Sequence, residues 1–313
     1  MKFGISTSRK SIWRMSSFAG ICGAQCPERA VGRYIVALAL GFVCLSGLVR
    51  AASAEETLKV WHFASNGNFN PAGAFAPARA GFDLADVSSS SQLDLLPQGT
   101  EGLVWLGQCD GVTAKFMAAV NAVIEHPKTF GFYLMDDPDP SGMWRPLCKG
   151  SDLRAESDWI HQRRPGVVTF VALMNLGSLA APRFSEDYNP EASHVDLFGV
   201  APYPCRANWP KCDLDMIDRF VAASLEAGFP IARIVPTFQT FGGGEWRSDG
   251  GGGFRLPSAS EMQSILERWY KFSPAPVFDY AYSWGRQRAD ESLETSAELQ
   301  AVFERRNRPY DHR

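Results

Sequence analysis

Residues 130–140 read FGFYLMDDPDP. An apolar, aromatic run of this kind is what a strand buried on both faces requires, yet it ends in two adjacent carboxylates and then a proline. Asp136 and Asp137 resist burial, and Pro138 has no N–H to give to a sheet ladder. The two acids therefore mark the point where a buried strand surfaces, and the rest of the chain decides what that exit is for.

Similar runs recur on both sides of it. Strands are expected at residues 59–65, 81–88, 101–108, 129–136, 167–175, 195–203, 233–241 and 278–285. Helical patterns fall between them at residues 113–126, 152–164, 213–228, 258–272 and 294–306, with Ser258 and Glu261 spaced as a capping box and Gly228 placed as a C-terminal cap. The first two connections are short and rich in Gly and Pro, which predicts weak or irregular helices there. Repeated strand–helix units call for parallel pairing with right-handed crossovers, and eight of them in about 250 residues make an α/β protein of the (β/α)8 TIM-barrel type. An open doubly wound sheet is the alternative, but the stretch after the first strand, NGNFNPAG, lacks its glycine fingerprint.

The 313 residues divide into a leader, 1–54, and a single barrel domain, 55–313. The leader is basic, then apolar from residue 34 to 49, and ends in Ala52-Ser53-Ala54, an A-x-A cleavage pattern. It reads as a signal peptide of a secreted or periplasmic protein, with an uncleaved anchor as the alternative. No later stretch is long enough for a membrane span. A formal charge of −3 offers no basic field for nucleic acid. Cys22, Cys26 and Cys44 lie in the leader, leaving Cys109, Cys148, Cys205 and Cys212 as an even set for disulfides. No His/Cys cluster suggests zinc, and the Asp136, Asp137 and Asp139 group lacks the calcium loop that would make it a cation site. No cofactor is implied, and a monomer is expected.

In a barrel of this kind chemistry sits at the C-terminal ends of the strands. That rule selects His62, Gln108, Asp136, Asp137, Asn175, Tyr203, Gln239 and Trp284. Only one of two adjacent acids can face inward along a regular strand, and alternation alone does not say which. His62 also reads as a core histidine. Trp284 reads either as filler of the barrel mouth or as a flat platform for a sugar ring. Between strand seven and its helix lies a glycine-rich loop, 242–255, read as a lid or as a tolerated insertion. It carries Glu245.

FGFYLMDDPDP, with VAPYPC, VPTFQTFGG and YAYSWG downstream, resembles the (β/α)8 glycoside hydrolases that carry Tyr-Leu-x-Asp-Glu-Pro at the end of strand four. It is also similar to the chitinase-type fourth strand, D-G-x-D-x-D-x-E, whose final Glu is the acid. Aligning that motif on Gly131 puts Tyr133 and Met135 at inner Asp positions and Asp137 at the acid, so two carboxylates are replaced and the acid is shortened. The resemblance implies a carbohydrate substrate, with Asp137 as proton donor and inward-facing, and Asp136 beside it. For the second group this chain offers Gln239 where a retaining enzyme has a carboxylate. Glu245 swinging in, Asp136 orienting a water, or Tyr203 and Gln239 holding a substrate whose own group attacks are the options. The alternative function is a secreted carbohydrate-binding barrel without turnover; a barrel deacetylase or lyase lacks the metal triad or base pair it would need. Loops three and four are neighbours on the barrel top, so Cys109 is expected to pair with Cys148, and Cys205 with Cys212.

Overall fold

The computed structural model describes residues 59–247 and 252–308. The leader, and the stretch 248–251 of the glycine-rich loop, lie outside the described residues. Strands β1 (Trp61–Ala64), β2 (Leu84–Val87), β3 (Glu101–Trp105), β4 (Thr129–Asp136), β5 (Val168–Ala172), β6 (Leu197–Val200) and β7 (Ile234–Gln239) pair in parallel, each with the next. After a two-residue strand, β8 (Phe241–Gly242), comes β9 (Phe278–Tyr282), which pairs with both β7 and β1 and closes the barrel. The fold is a (β/α)8 barrel. A short antiparallel ribbon joins β8 to β10 (Glu291–Ser292), so Phe241, expected at the end of the seventh barrel strand, belongs to this ribbon.

Helices α1 (Ser90–Asp94), α2 (Ala114–Asn121), α3 (Gly150–Arg163), α4 (Pro190–Ser193), α5 (Asp215–Glu226), α6 (Ala259–Phe272) and α7 (Ala297–Asn307) fill the crossovers. As expected from the Gly/Pro-rich connections, β1 leads to β2 through a single 3-10 turn, Ala76–Ala80, and α1 has five residues. The capping box at the start of α6 forms, with the Ser258 hydroxyl accepting from the Glu261 N–H and the Glu261 carboxylate accepting from the Ser258 N–H. Gly228 follows α5 with φ of 85°, the left-handed geometry that suits glycine at a helix end.

Two apolar layers hold the barrel. Phe63, Leu84, Leu103, Tyr133, Phe170, Leu197, Val235, Phe278 and Tyr280 fill its interior, while the alternate residues, such as Ala64, Ala85, Val104, Phe132 and Phe198, pack outward against the helices. This period-two division is what parallel strands buried on both faces produce. Gly131 is needed at the β4–β5 seam, because a Cβ there would run into the Val168 carbonyl oxygen.

Both expected disulfides are present, Cys109–Cys148 and Cys205–Cys212. The first spans 39 residues and ties the loop after β3 to the start of α3; the second spans seven. Loop-closure entropy grows with the span, so removing Cys109–Cys148 by paired Ser substitution is expected to cost about 2–4 kcal/mol, and removing Cys205–Cys212 less. Chemical unfolding of the two double variants measures both.

Glu156 of α3 lies under the first disulfide, fully buried, with Oε1 accepting from the Asp110 N–H. Its Oε2 has no hydrogen-bond partner among the described residues. Burial raises its pKa from the ordinary carboxylate range to about 8, against backbone hydrogen bonds from Asp110 and Gly111 that lower it. The folded chain therefore holds a proton that the unfolded chain releases above about pH 4.5. Stability from this group is complete below that pH and is lost as pH rises toward 8. Glu156→Gln is expected to narrow the loss, so that the variant gains on the wild type by about 1–3 kcal/mol between pH 5 and 8. Urea midpoints at the two pH values provide the check.

Candidate functional site

The end of β4 departs from simple alternation. Tyr133 pairs with Phe170, but a register shift follows, so that Met135 pairs with Val171 and Asp136 with Ala172. Phe170 and Ala172 face the barrel interior and Val171 faces the helices. The irregularity moves Met135 to the outer layer and brings Asp136 onto the inward register beside Tyr133. The Tyr133 hydroxyl donates to Asp136 Oδ1 at 2.9 Å. Plain counting from Tyr133 put Met135 and Asp137 inward; the bulge overturns that for Met135 and puts Asp136 where only Asp137 was expected.

Asp137 turns the chain out of the strand. Its φ is 48°, and its N–H donates to the Ala172 carbonyl at 2.9 Å. Its side chain is 40% exposed and meets the Arg145 guanidinium at 3.1 Å. Asp139, two residues on, is fully buried, and its carboxylate accepts from the Ser141 hydroxyl and from the N–H groups of Ser141, Trp144 and Arg145. Burial would raise its pKa, but these hydrogen bonds prevail and hold it below the usual range. Asp139 is thus the brace of the loop that presents Trp144 and Arg145. Among the described residues no group of three His, Cys, Asp or Glu side chains is arranged to hold a metal ion.

Both acids border a cavity of about 690 Å³ at the C-terminal end of the barrel. Its walls include several aromatic residues, Trp144, Tyr203, Phe241, Trp246, Tyr280 and Tyr282 among them. Tyr203 stacks on Tyr282 with ring centres 5.8 Å apart, and Phe241 meets both rings edge-on. Asn175 and Thr237 also line the cavity, and Asn175 Nδ2 and Thr237 Oγ1 are buried without a hydrogen-bond partner among the described residues. Asn175 Oδ1 is taken up by the N–H groups of Gly177 and Arg183. A donor and a hydroxyl therefore remain for a ligand.

Burial raises the Asp136 pKa, and the Tyr133 hydrogen bond and the Arg145 charge oppose it without cancelling it. Burial likewise pushes the phenols of Tyr133, Tyr203 and Tyr280 up, with Asp136 adding to each. These hydroxyls stay protonated; that of Tyr133 donates to Asp136 and that of Tyr280 to Ser65.

Of the residues selected from sequence, Asp136, Asp137, Asn175 and Tyr203 reach the cavity; four others and Gln108 do not. His62 faces outward near the start of β1, with Nδ1 2.9 Å from Asp279 Oδ2, and Arg306 of α7 completes the cluster at 2.6 Å from the same oxygen. Gln108 is buried behind the loop after β3, its N–H donating to the Leu134 carbonyl. Gln239 is a clamp: its side chain accepts from the Cys205 N–H and donates to the carbonyls of Cys205 and Arg255. Glu245 is exposed and lies outside the wall. Trp284, expected as the sugar platform, is 0% exposed, packed on Phe82 and under the Arg79 guanidinium. It follows the inward Tyr282 by two residues, but β9 has ended by then and the chain has turned. Arg145, Arg206, Trp246 and Tyr282 were missed. Tyr282 was within reach, since Phe278, Tyr280 and Tyr282 alternate on one face.

No protein-family model matches the sequence, and no curated protein matches it. Solved structures do. A chitinase from Rhizomucor miehei is 12% identical with a TM-score of 0.49, over 80% of this chain and 100% of that one. A fungal endo-beta-N-acetylglucosaminidase of glycosyl hydrolase family 18 is 12% identical with a TM-score of 0.45, over 79% and 97%. A chitinase-like agglutinin from Robinia pseudoacacia is 11% identical with a TM-score of 0.45, over 79% and 99%.

Proposed function

We propose that this chain hydrolyses glycosidic bonds of a glycan bound in the barrel-top cavity. The observation that carries the reading is the half-buried Asp136 carboxyl, hydrogen-bonded to Tyr133 and raised in pKa, in the wall of a cavity with many aromatic residues. A general acid must hold its proton near the working pH, and burial supplies that condition to Asp136. Asp137 is partly exposed and paired with the Arg145 guanidinium. The acid role read from sequence for Asp137 thus passes to its neighbour. As the bond breaks, Asp136 gives its proton to the leaving oxygen; a water adds to the anomeric carbon and returns a proton to a carboxylate of the pair. Aromatic faces stack on the sugar, and Asn175 Nδ2 and Thr237 Oγ1 take its hydroxyls.

A second reading is a glycan-binding barrel without turnover. It is favoured by the wall opposite the acids, where β7 presents Thr237 and no carboxylate. Incubation with a panel of polysaccharides, with products detected by mass and binding by calorimetry, separates the two: shortened products support hydrolysis, binding alone supports the second. Export is part of the proposal and is supported by two disulfides, which persist in oxidising compartments. It predicts a mature N-terminus at Glu55, which intact-mass measurement of the protein from its native host tests.

A further inference from the structure

Guanidinium groups gather around the cavity of a chain that is formally acidic. The whole sequence is formally −3, yet among the described residues three guanidinium groups, Arg145, Arg206 and Arg247, line the cavity against two carboxylates, Asp136 and Asp137. Among these described groups the cations outnumber the anions even with both acids ionised. Arg206 is the most constrained of the three. It is 4% exposed, lies over the Phe254 ring at 4.1 Å, and follows Cys205, whose backbone is fixed by the Gln239 side chain and whose sulfur is bonded to Cys212. Arg206 and Phe254 also form a backbone bridge. Arg247 stands across the glycine-rich loop, its guanidinium donating to the carbonyls of Gly244 and Trp246. A guanidinium is costly to bury and is suited to bidentate recognition of carboxylate or sulfate.

We propose that the cavity selects an anionic glycan, one bearing carboxylate or sulfate groups, and that Arg206 and Arg247 are the residues that set this preference. The inference rests on the reading of the cavity as a glycan site. Aromatic walls hold the sugar rings, as they would for a neutral glycan, while the arginines add a term that only a charged substituent collects. Such attraction in a partly exposed cleft is weakened by salt.

The test uses matched probes with one backbone. Polygalacturonate oligosaccharides with free carboxyls and their methyl-esterified counterparts share one backbone and differ at the carboxyl, ionised in one and a neutral ester in the other, and sulfated chondroitin oligosaccharides against desulfated ones, which keep their uronate carboxylates, form a second arm for sulfate. The free acid is expected to bind at least about tenfold more tightly than its neutral ester, and the sulfated form more tightly than the less charged desulfated one, with both gaps closing at high salt. Arg206→Gln and Arg247→Gln are each expected to lose on the order of 10–100-fold in affinity for the charged probe with little change for the neutral one. Circular dichroism checks folding, and the exposed Arg247 provides a variant that does not disturb the buried wall. Equal binding of charged and neutral partners, or Gln variants that leave the ratio unchanged, overturns the anionic preference and leaves the glycan site standing. Failure of charged and neutral glycans alike, the polysaccharide panel included, overturns both.

Discussion

Asp136→Asn is expected to lower turnover by about 10²–10⁴-fold on any glycan the wild type cleaves, with affinity nearly unchanged. The amide keeps the size of the carboxyl and can still accept from the Tyr133 hydroxyl, so the wall is preserved. What it loses is an acidic proton. Because that proton matters only as the bond breaks, kcat and kcat/KM should fall together. Asp137→Asn, by contrast, removes an exposed partner of Arg145 and is expected to have the smaller effect. Single-turnover assays on both variants, beside calorimetry, decide the assignment. Full turnover by Asp136→Asn with loss in Asp137→Asn would return the acid to the position read from sequence. If neither wild type nor variants release product but all bind the same glycan, the barrel binds without turnover.

Trp284→Ala is expected to destabilise the fold by about 3–5 kcal/mol while leaving glycan affinity within about twofold. The indole is completely buried between Phe82 and the Arg79 guanidinium, so its removal opens a large cavity between barrel and helices. Had it been a sugar platform, the reverse would hold, with affinity lost and stability kept. Trp144, 61% exposed on the Asp139-braced loop and lining the cavity, is the residue that fits the platform role. Chemical unfolding of Trp284→Ala, with a binding isotherm on the folded variant, distinguishes the two outcomes.

Strand and helix order and the capping box at Ser258 were legible in the sequence because each depends on short-range pattern; the barrel followed from the eightfold repetition of that pattern, and the disulfide pairing from the loop order of the barrel. Buried parallel strands read as apolar runs, and helices as amphipathic ones, whatever lies around them. The exit of β4 at two acids was legible for the same reason. Which acid faces inward was not. It turned on one irregularity against β5, which no count along a single strand can reveal, since register is a property of two strands. Residue type misled in a related way at His62, Gln239 and Trp284. Each is a functional type near a barrel strand, and each is taken up by partners far away in sequence: Asp279 and Arg306, Cys205 and Arg255, Phe82 and Arg79. The sequence by itself determined the architecture and the end of the barrel where an acid pair emerges. Only the tertiary structure decided which side chains converge there, because hydrogen-bond partners, burial and the charge of a cavity are set by groups that the chain brings together from distant strands and loops.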